Sequence, residues 1–184
     1  MTVLKGEELA RQTARLERLM AKAMSLAEEA GVPVGCVTKV GFNHRAHEMG
    51  MTRRVRAGVA SNGETVYRYE VSLSDYFVDC PDAELLSTLA HELVHTVADG
   101  WGHGVGFNYW ARKFLRVGVN VDTKVRGARA KRVAEYAAER MEAYRPTVTL
   151  ACKCRRHVVG ARTNVAKHPE DYRCKHCGCA LERA

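Results

Sequence analysis

The fourteen residues from His91 to Gly104 read HELVHTVADGWGHG, and they constrain the fold more than any other stretch of the chain. Leu86, Leu89, Leu93 and Val97 recur at three to four residues, which predicts a helix from the segment DCPDAELL to about Asp99. Asp79 or Asp82 falls near its N-cap and Pro81 near its first turn. Residues four apart share a helix face, so His91 and His95 can point their imidazoles at a common ion. Glu92 lies about 100° further round the helix, outside the inner shell but beside the place of a bound water, where a general base belongs. Asp99-Gly100 ends the helix, and the glycine-flanked Gly102-His103-Gly104 lets a loop fold back and deliver His103. Three neutral imidazoles with one open position form the tetrahedral arrangement of a catalytic zinc. A bare H-E-x-x-H also arises by chance, and the competing reading is a set of surface or capping histidines. The predicted helix, an apolar stripe on the face away from both histidines and a third histidine within loop reach favour the metal.

The rest of the chain supplies a small α+β frame for this segment. Leu9, Leu16, Leu19, Ala23, Leu26 and Ala30 give an amphipathic period over Lys5 to Ala30, and Gly31 and Pro33 end it. VPVGCVTKVGF reads as a strand, and TRRVRAGVASNGETVYRYEVSLS as two strands joined at Ser61-Asn62-Gly63-Glu64, where Asn-Gly supplies the positive φ of a tight turn. A further helix follows Gly104 and stops near Gly118, carrying Phe107, Trp110, Phe114 and Leu115; another spans about Ala128 to Tyr144 and stops before Pro146. With 184 residues the chain can hold one domain with a real core and a small appendage, divided at Arg145-Pro146 into 1–145 and 146–184.

The appendage is marked by its cysteines. Five of the seven (Cys152, Cys154, Cys174, Cys177 and Cys179) fall in the last 33 residues, in close pairs that suit a metal in a reducing compartment better than disulfides. In CKCRRH and CKHCGC, Cys154 and Cys174 are separated by 19 residues, near the spacing of the two halves of a zinc ribbon. Cys174-x-x-Cys177 has knuckle spacing; Cys152-x-Cys154 is one residue tighter, and Cys154-x-x-His157 is an alternative. The expected ligands are Cys152, Cys154, Cys174 and Cys177, with His157 as substitute for Cys152, and with Cys179 and His176 outside the set.

Charge is divided as unevenly as cysteine. Residues 1–123 carry 14 Lys+Arg against 15 Asp+Glu, whereas residues 124–184 carry 15 against 6, so the whole net charge of +8 arises in the C-terminal third. Such asymmetry suggests an acidic polymer as partner. Lys153, Arg155, Arg156, Arg162, Lys167, Arg173 and Lys175 are the expected nucleic-acid contacts on the ribbon, with Tyr172 available to stack on a base and Lys124, Arg126, Arg129, Lys131 and Arg132 preceding it. A solvated basic face is the alternative. No apolar run reaches the roughly 20 residues of a membrane helix, and MTVLKGEELARQ has no apolar segment behind a basic start, so the expected setting is cytoplasmic, at the nucleoid or in a host cytoplasm if the source is viral.

Over about residues 34–184 the chain resembles the SprT-like zinc metalloproteases, the family of the Spartan-related DNA–protein crosslink proteases. The carriers are the hairpin ending YEVSLS, then HELVH, then GHGVGFNYWARKF, and the terminal YRCKHCGCALE. The resemblance implies a zincin-like minimal protease fold with a C-terminal zinc ribbon, one catalytic zinc on His91, His95 and His103, Glu92 as general base, and a second, structural zinc. It implies protein substrates bound or crosslinked to DNA, single-stranded or junction-containing. Seven residues lie between His95 and His103, a shorter interval than in Spartan. Two other readings stand beside it: a nucleic-acid-binding zinc module whose peptidase half is auxiliary or inactive, and a peptidase with no nucleic-acid role. Tyr67, Tyr69 and Tyr109 are candidate oxyanion donors by residue type alone, and His44 and His47 read as polar loop residues.

Overall fold

The computed structural model describes residues 4–122, 127–143, 148–154, 158–161 and 168–183. It is a mixed α+β structure with two compact units, Met1–Ala138 and Glu139–Ala184. The division falls inside the last helix, ahead of the Arg145-Pro146 boundary expected from the pattern break.

In the first unit, helix α1 (Gly6–Glu29) buries Leu16, Leu19, Met20, Ala23 and Ala27. The N–H of Val32 returns to the carbonyl of Ala27 and that of Gly31 to Glu28, a closing pattern that satisfies two terminal carbonyls. Strands β1 (Val37–Asn43), β2 (Gly50–Val59) and β3 (Thr65–Ser74) form a sheet in the order β1-β3-β2, with β3 parallel to β1 and antiparallel to β2. The β2–β3 turn lies where Asn62-Gly63 predicts it, closed by Ala60 N–H to Glu64 and Gly63 N–H to Ala60. Tyr69, Val71 and Leu73 alternate inward from β3. Their β2 partners, Arg54, Thr52 and Gly50, therefore share that inner face.

Helix α2 (Asp82–Val94) is shorter than its apolar stripe suggests, and the predicted end at Asp99 is corrected to Val94. His95 is its C-cap. The carbonyls of Leu93 and Val94 are taken by the N–H groups of Thr96 and Val97, and the Thr96 hydroxyl donates to Leu93 while accepting the N–H of Gly35, so the chain tightens into a turn there. Burial also runs round most of α2, from Leu85 to Ala90 and from Glu92 to Val94, because it packs on α1 and on the sheet at once. Pro81 is its N-cap; Arg15 of α1 binds Asp82 and the carbonyls of Val78 and Cys80, and ties the entry into α2 to α1. Helix α3 (Val105–Arg116) buries Phe107, Ala111 and Phe114, while Leu115 is exposed. Helix α4 (Gly127–Ala143) buries Val133 and Ala137.

The second unit holds a three-stranded antiparallel sheet, β4 (Val148–Ala151), β5 (Val158–Ala161) and β6 (Glu182–Arg183), with β4 in the centre. Among its described residues Leu150, Cys152, Cys174 and Leu181 form a buried cluster, with Cys154 packed against them. Among the described residues no helix is long and apolar enough to cross a membrane.

Candidate metal centres

The three histidines meet although each sits in a different local structure: His91 inside α2, His95 at its C-cap and His103 on the loop before α3. His91 Nε2 lies 3.2 Å from His95 Nε2 and 3.0 Å from His103 Nε2, and one ligand atom from each falls within 4.8 Å of the others. Gly100 makes the loop possible, since a Cβ there would stand only 2.0 Å from the carbonyl oxygen of Val94. Phe107, fully buried in the first turn of α3, floors the group, with its ring centroid 4.8 to 5.0 Å from all three imidazoles.

Hydrogen bonds set the tautomers. His91 Nδ1 lies 2.7 Å from the carbonyl of Asp122, and His95 Nδ1 2.9 Å from that of Gly100. A carbonyl only accepts, so both Nδ1 atoms carry protons and both Nε2 lone pairs point into the cluster. Burial, reinforced by His95, lowers the pKa of His91 to about 4, and burial lowers that of His95, so both are neutral near pH 7. Lone pairs gathered at this distance repel one another unless a cation lies between them. A tetrahedral zinc with bonds of about 2.0–2.1 Å separates its nitrogens by about 3.3–3.4 Å, close to the spacing here.

Glu92 is held by β2. Its carboxylate Oε2 is 2.8 Å from the Thr52 hydroxyl, which also lies 2.9 Å from the Glu92 carbonyl oxygen. Gly50 leaves room for it: a Cβ there would come within 2.7 Å of Glu92 Oε1. Burial raises the Glu92 pKa to about 7, against the opposing hydrogen bond from Thr52. A carboxyl that titrates near neutrality can both take and return a proton.

Behind His91, the carboxylate of Asp122 is held at 2.8 Å by Arg129, which also binds Glu84 at 2.6 Å and Ser87 at 3.0 Å. The expectation that Arg129 belongs to a nucleic-acid face is corrected: its side chain is 16% exposed, and two carboxylates neutralise it. Thr52, Gly50, Asp122, Arg129 and the floor formed by Phe107 were not read from the sequence as parts of the site. Phe107 alone left a signal, an aromatic residue one helical turn past His103.

The tyrosines proposed by residue type each have a described neighbour. Tyr69 is buried against Gly35, Tyr109 stands edge-on to Trp110, and Tyr67 stacks under Arg54. His44 is half-buried between the fully buried Asp75 at 3.1 Å and the Tyr76 hydroxyl at 2.9 Å, and His47 is exposed.

In the second unit Cys152, Cys154, Cys174 and Cys177 gather with all four sulfurs within 4.8 Å of one another. Cys152 Sγ is 3.1 Å from Cys177 Sγ, and Cys154 Sγ is 3.6 Å from Cys174 Sγ. A zinc with four thiolates at about 2.3 Å separates its sulfurs by about 3.8 Å, so this group too is compatible with zinc. The knuckle is built by Cys174 N–H to the carbonyl of Cys179 and Gly178 N–H to that of Cys174, while His176 directs its N–H at Cys174 Sγ from 3.4 Å. Burial opposes the Cys174 thiolate, yet the N–H groups of His176 and Cys177 bring its pKa down to about 6. Cys179 and His176 are exposed and outside the group. His157, the substitute considered for Cys152, lies outside the described residues, as do Arg155, Arg156, Arg162, Lys167, Lys124 and Arg126. Of the expected nucleic-acid contacts that are described, Lys153 pairs with Glu182 at 3.3 Å, while Arg173 and Lys175 are exposed beside the exposed Tyr172. Comparison of the chain with protein-family models, with curated proteins and with solved structures finds no match.

Proposed function

We propose that the chain is a zinc-dependent endopeptidase of the SprT-like, zincin-like kind, cutting proteins bound or crosslinked to DNA, with a ribbon zinc in its second unit. The observation that carries this reading is the convergence of the His91, His95 and His103 Nε2 atoms with two tautomers held by backbone carbonyls. Histidines that merely cap or decorate a surface need no such second hydrogen bond.

A zinc ion bound there supplies Lewis-acid chemistry, polarising a peptide carbonyl and bringing the pKa of water towards neutrality. The protein contributes the rest. Phe107 excludes water from one side of the imidazoles, and the carbonyls of Asp122 and Gly100 keep their lone pairs directed inward. Glu92, steadied by Thr52, takes the proton of the attacking water at its carboxylate and returns it to the leaving amine. The DNA part of the reading draws on the +9 carried by residues 124–184 and on the exposed Arg173, Lys175 and Tyr172.

Zinc stoichiometry tests the site: two ions on the whole chain and one on a chain ending at Arg145. DNA-stimulated proteolysis, with binding whose log–log salt slope is about −3 to −5 for four to six phosphate contacts, tests the partner. Salt-insensitive binding, or proteolysis unchanged by DNA, leaves a peptidase without a nucleic-acid role. Two zinc ions and DNA binding with no cleavage of any protein favour the zinc module with an inactive peptidase half.

A further inference from the structure

Arg54 stands on the rim of the histidine group in an arrangement that the reading above does not use. Its guanidinium lies 4.4 Å from the ring centroid of Tyr67 and 4.9 Å from that of Trp101. Trp101 belongs to the loop that carries His103, and its ring is 6.3 Å from that of His95. Two aromatic rings thus hold the cation, while Arg54 itself is exposed. A guanidinium held over aromatic rings, and not by carboxylates, keeps N–H donors to offer an anion. The neighbouring Arg53 pairs with Glu70 at 3.6 Å, but among the described residues no carboxylate pairs with Arg54. A preorganised fork of this kind matches a carboxylate through two parallel hydrogen bonds.

Its position along β2 relates it to the chemistry. Thr52, which touches Glu92, and Arg54 are two residues apart on the same face of the strand, about 6.7 Å along it. An extended polypeptide repeats its own same-side residues at that interval. β2 is an edge strand of the sheet, so an extended chain can run beside it. Arg56, opposite Tyr67, continues the basic row on that face.

We propose that Arg54, clamped by Tyr67 and Trp101, is a subsite for an acidic side chain of the substrate, the second residue from the bond that is cut. The protein substrates are then cleaved within acidic extended segments. This inference rests on the peptidase reading.

The test is a set of peptides differing only in Asp, Ala or Lys at the second residue on either side of the cleaved bond, with kcat/KM measured for the zinc-loaded whole chain and for Arg54→Glu. The wild type is expected to prefer Asp over Lys at one of these positions by roughly tenfold or more, the range of a hydrogen-bonded charge pair. Arg54→Glu is expected to invert the ratio, a gain on the Lys peptide that misfolding cannot produce. Cleavage without charge preference, or a ratio that Arg54→Glu leaves unchanged, overturns the inference and leaves the peptidase reading intact. No cleavage of these peptides or of an unfolded protein overturns both. If Arg54→Glu weakens binding of a single-stranded oligonucleotide and leaves the peptide ratio alone, the guanidinium serves phosphate and the inference is again overturned.

Discussion

The histidine group and the cysteine group each bring their donor atoms within 4.8 Å, yet they rest on different supports. Around the histidines the first unit has its own apolar interior, with Leu89, Ala90, Leu93, Val94, Phe107 and Phe114 all at 0% exposure. Those side chains position the ligands whether or not an ion is present. In the second unit the buried cluster among the described residues is Leu150, Cys152, Cys174 and Leu181, two of which belong to the candidate metal group. An ion held there would stand in for a core, as small units that bury little apolar surface require.

The largest effect expected from this contrast is on folding. Removing metal with a chelator, or replacing Cys174 by Ser, should unfold the sheet of β4, β5 and β6 and leave the first unit folded, because structural zinc contributes on the order of 10 kcal/mol to such modules. Amide exchange resolves the two units separately, and protection that survives chelation throughout the second unit breaks the comparison. Next in size is Glu92→Gln, expected to lower proteolysis by about 10²- to 10⁴-fold with zinc content unchanged. Loss of metal together with activity would make Glu92 a structural support rather than a base.

Smaller changes act on how Glu92 is held. Thr52→Val removes the hydroxyl 2.8 Å from its carboxylate, and Gly50→Ala places a methyl within 2.7 Å of Oε1. Each is expected to reduce kcat by about tenfold, near the net value of one hydrogen bond to a charged group, with Thr52→Ser restoring most of it. Equal losses in Val and Ser variants would assign Thr52 a packing role only.

The smallest effect concerns pH in the metal-free protein. The His91 pKa falls from 6.5 to about 4 on folding, so between those values the unfolded chain binds more protons and stability rises with pH. The Glu92 pKa rises from 4.5 to about 7, so across that interval the folded chain binds more and stability falls as pH rises. The two contributions oppose each other between about 4.5 and 6.5. Glu92→Gln should unmask the first as a rise of up to about 1.4 kcal/mol per pH unit, read from denaturant midpoints.

What the sequence disclosed follows the same division. His91 and His95 were legible because four-residue spacing on a helix is a local property, and His103 because glycines flank it on both sides. The β2–β3 turn was legible from Asn62-Gly63. The end of α2 was not, since Val97 continues the apolar period while a tertiary hydrogen bond from Gly35 to Thr96 supports the turn that interrupts it. Thr52 and Gly50 were hidden for a similar reason: they reach Glu92 across the register between a strand and a helix, 40 residues apart in the case of Thr52. Arg129 looked like one more cation in a basic stretch until Glu84 and Asp122 were seen to neutralise it.

That arginine sets how short a functional chain can be. The last histidine ligand is residue 103, but the carbonyl that turns His91 belongs to Asp122, and the side chain of Asp122 is braced from α4. A chain ended at Arg116 retains all three imidazoles and loses the groups that aim one of them. A fragment that keeps the brace behind His91 therefore ends within α4, beyond Arg129, well past the point where inspection of the three histidines alone would place the cut.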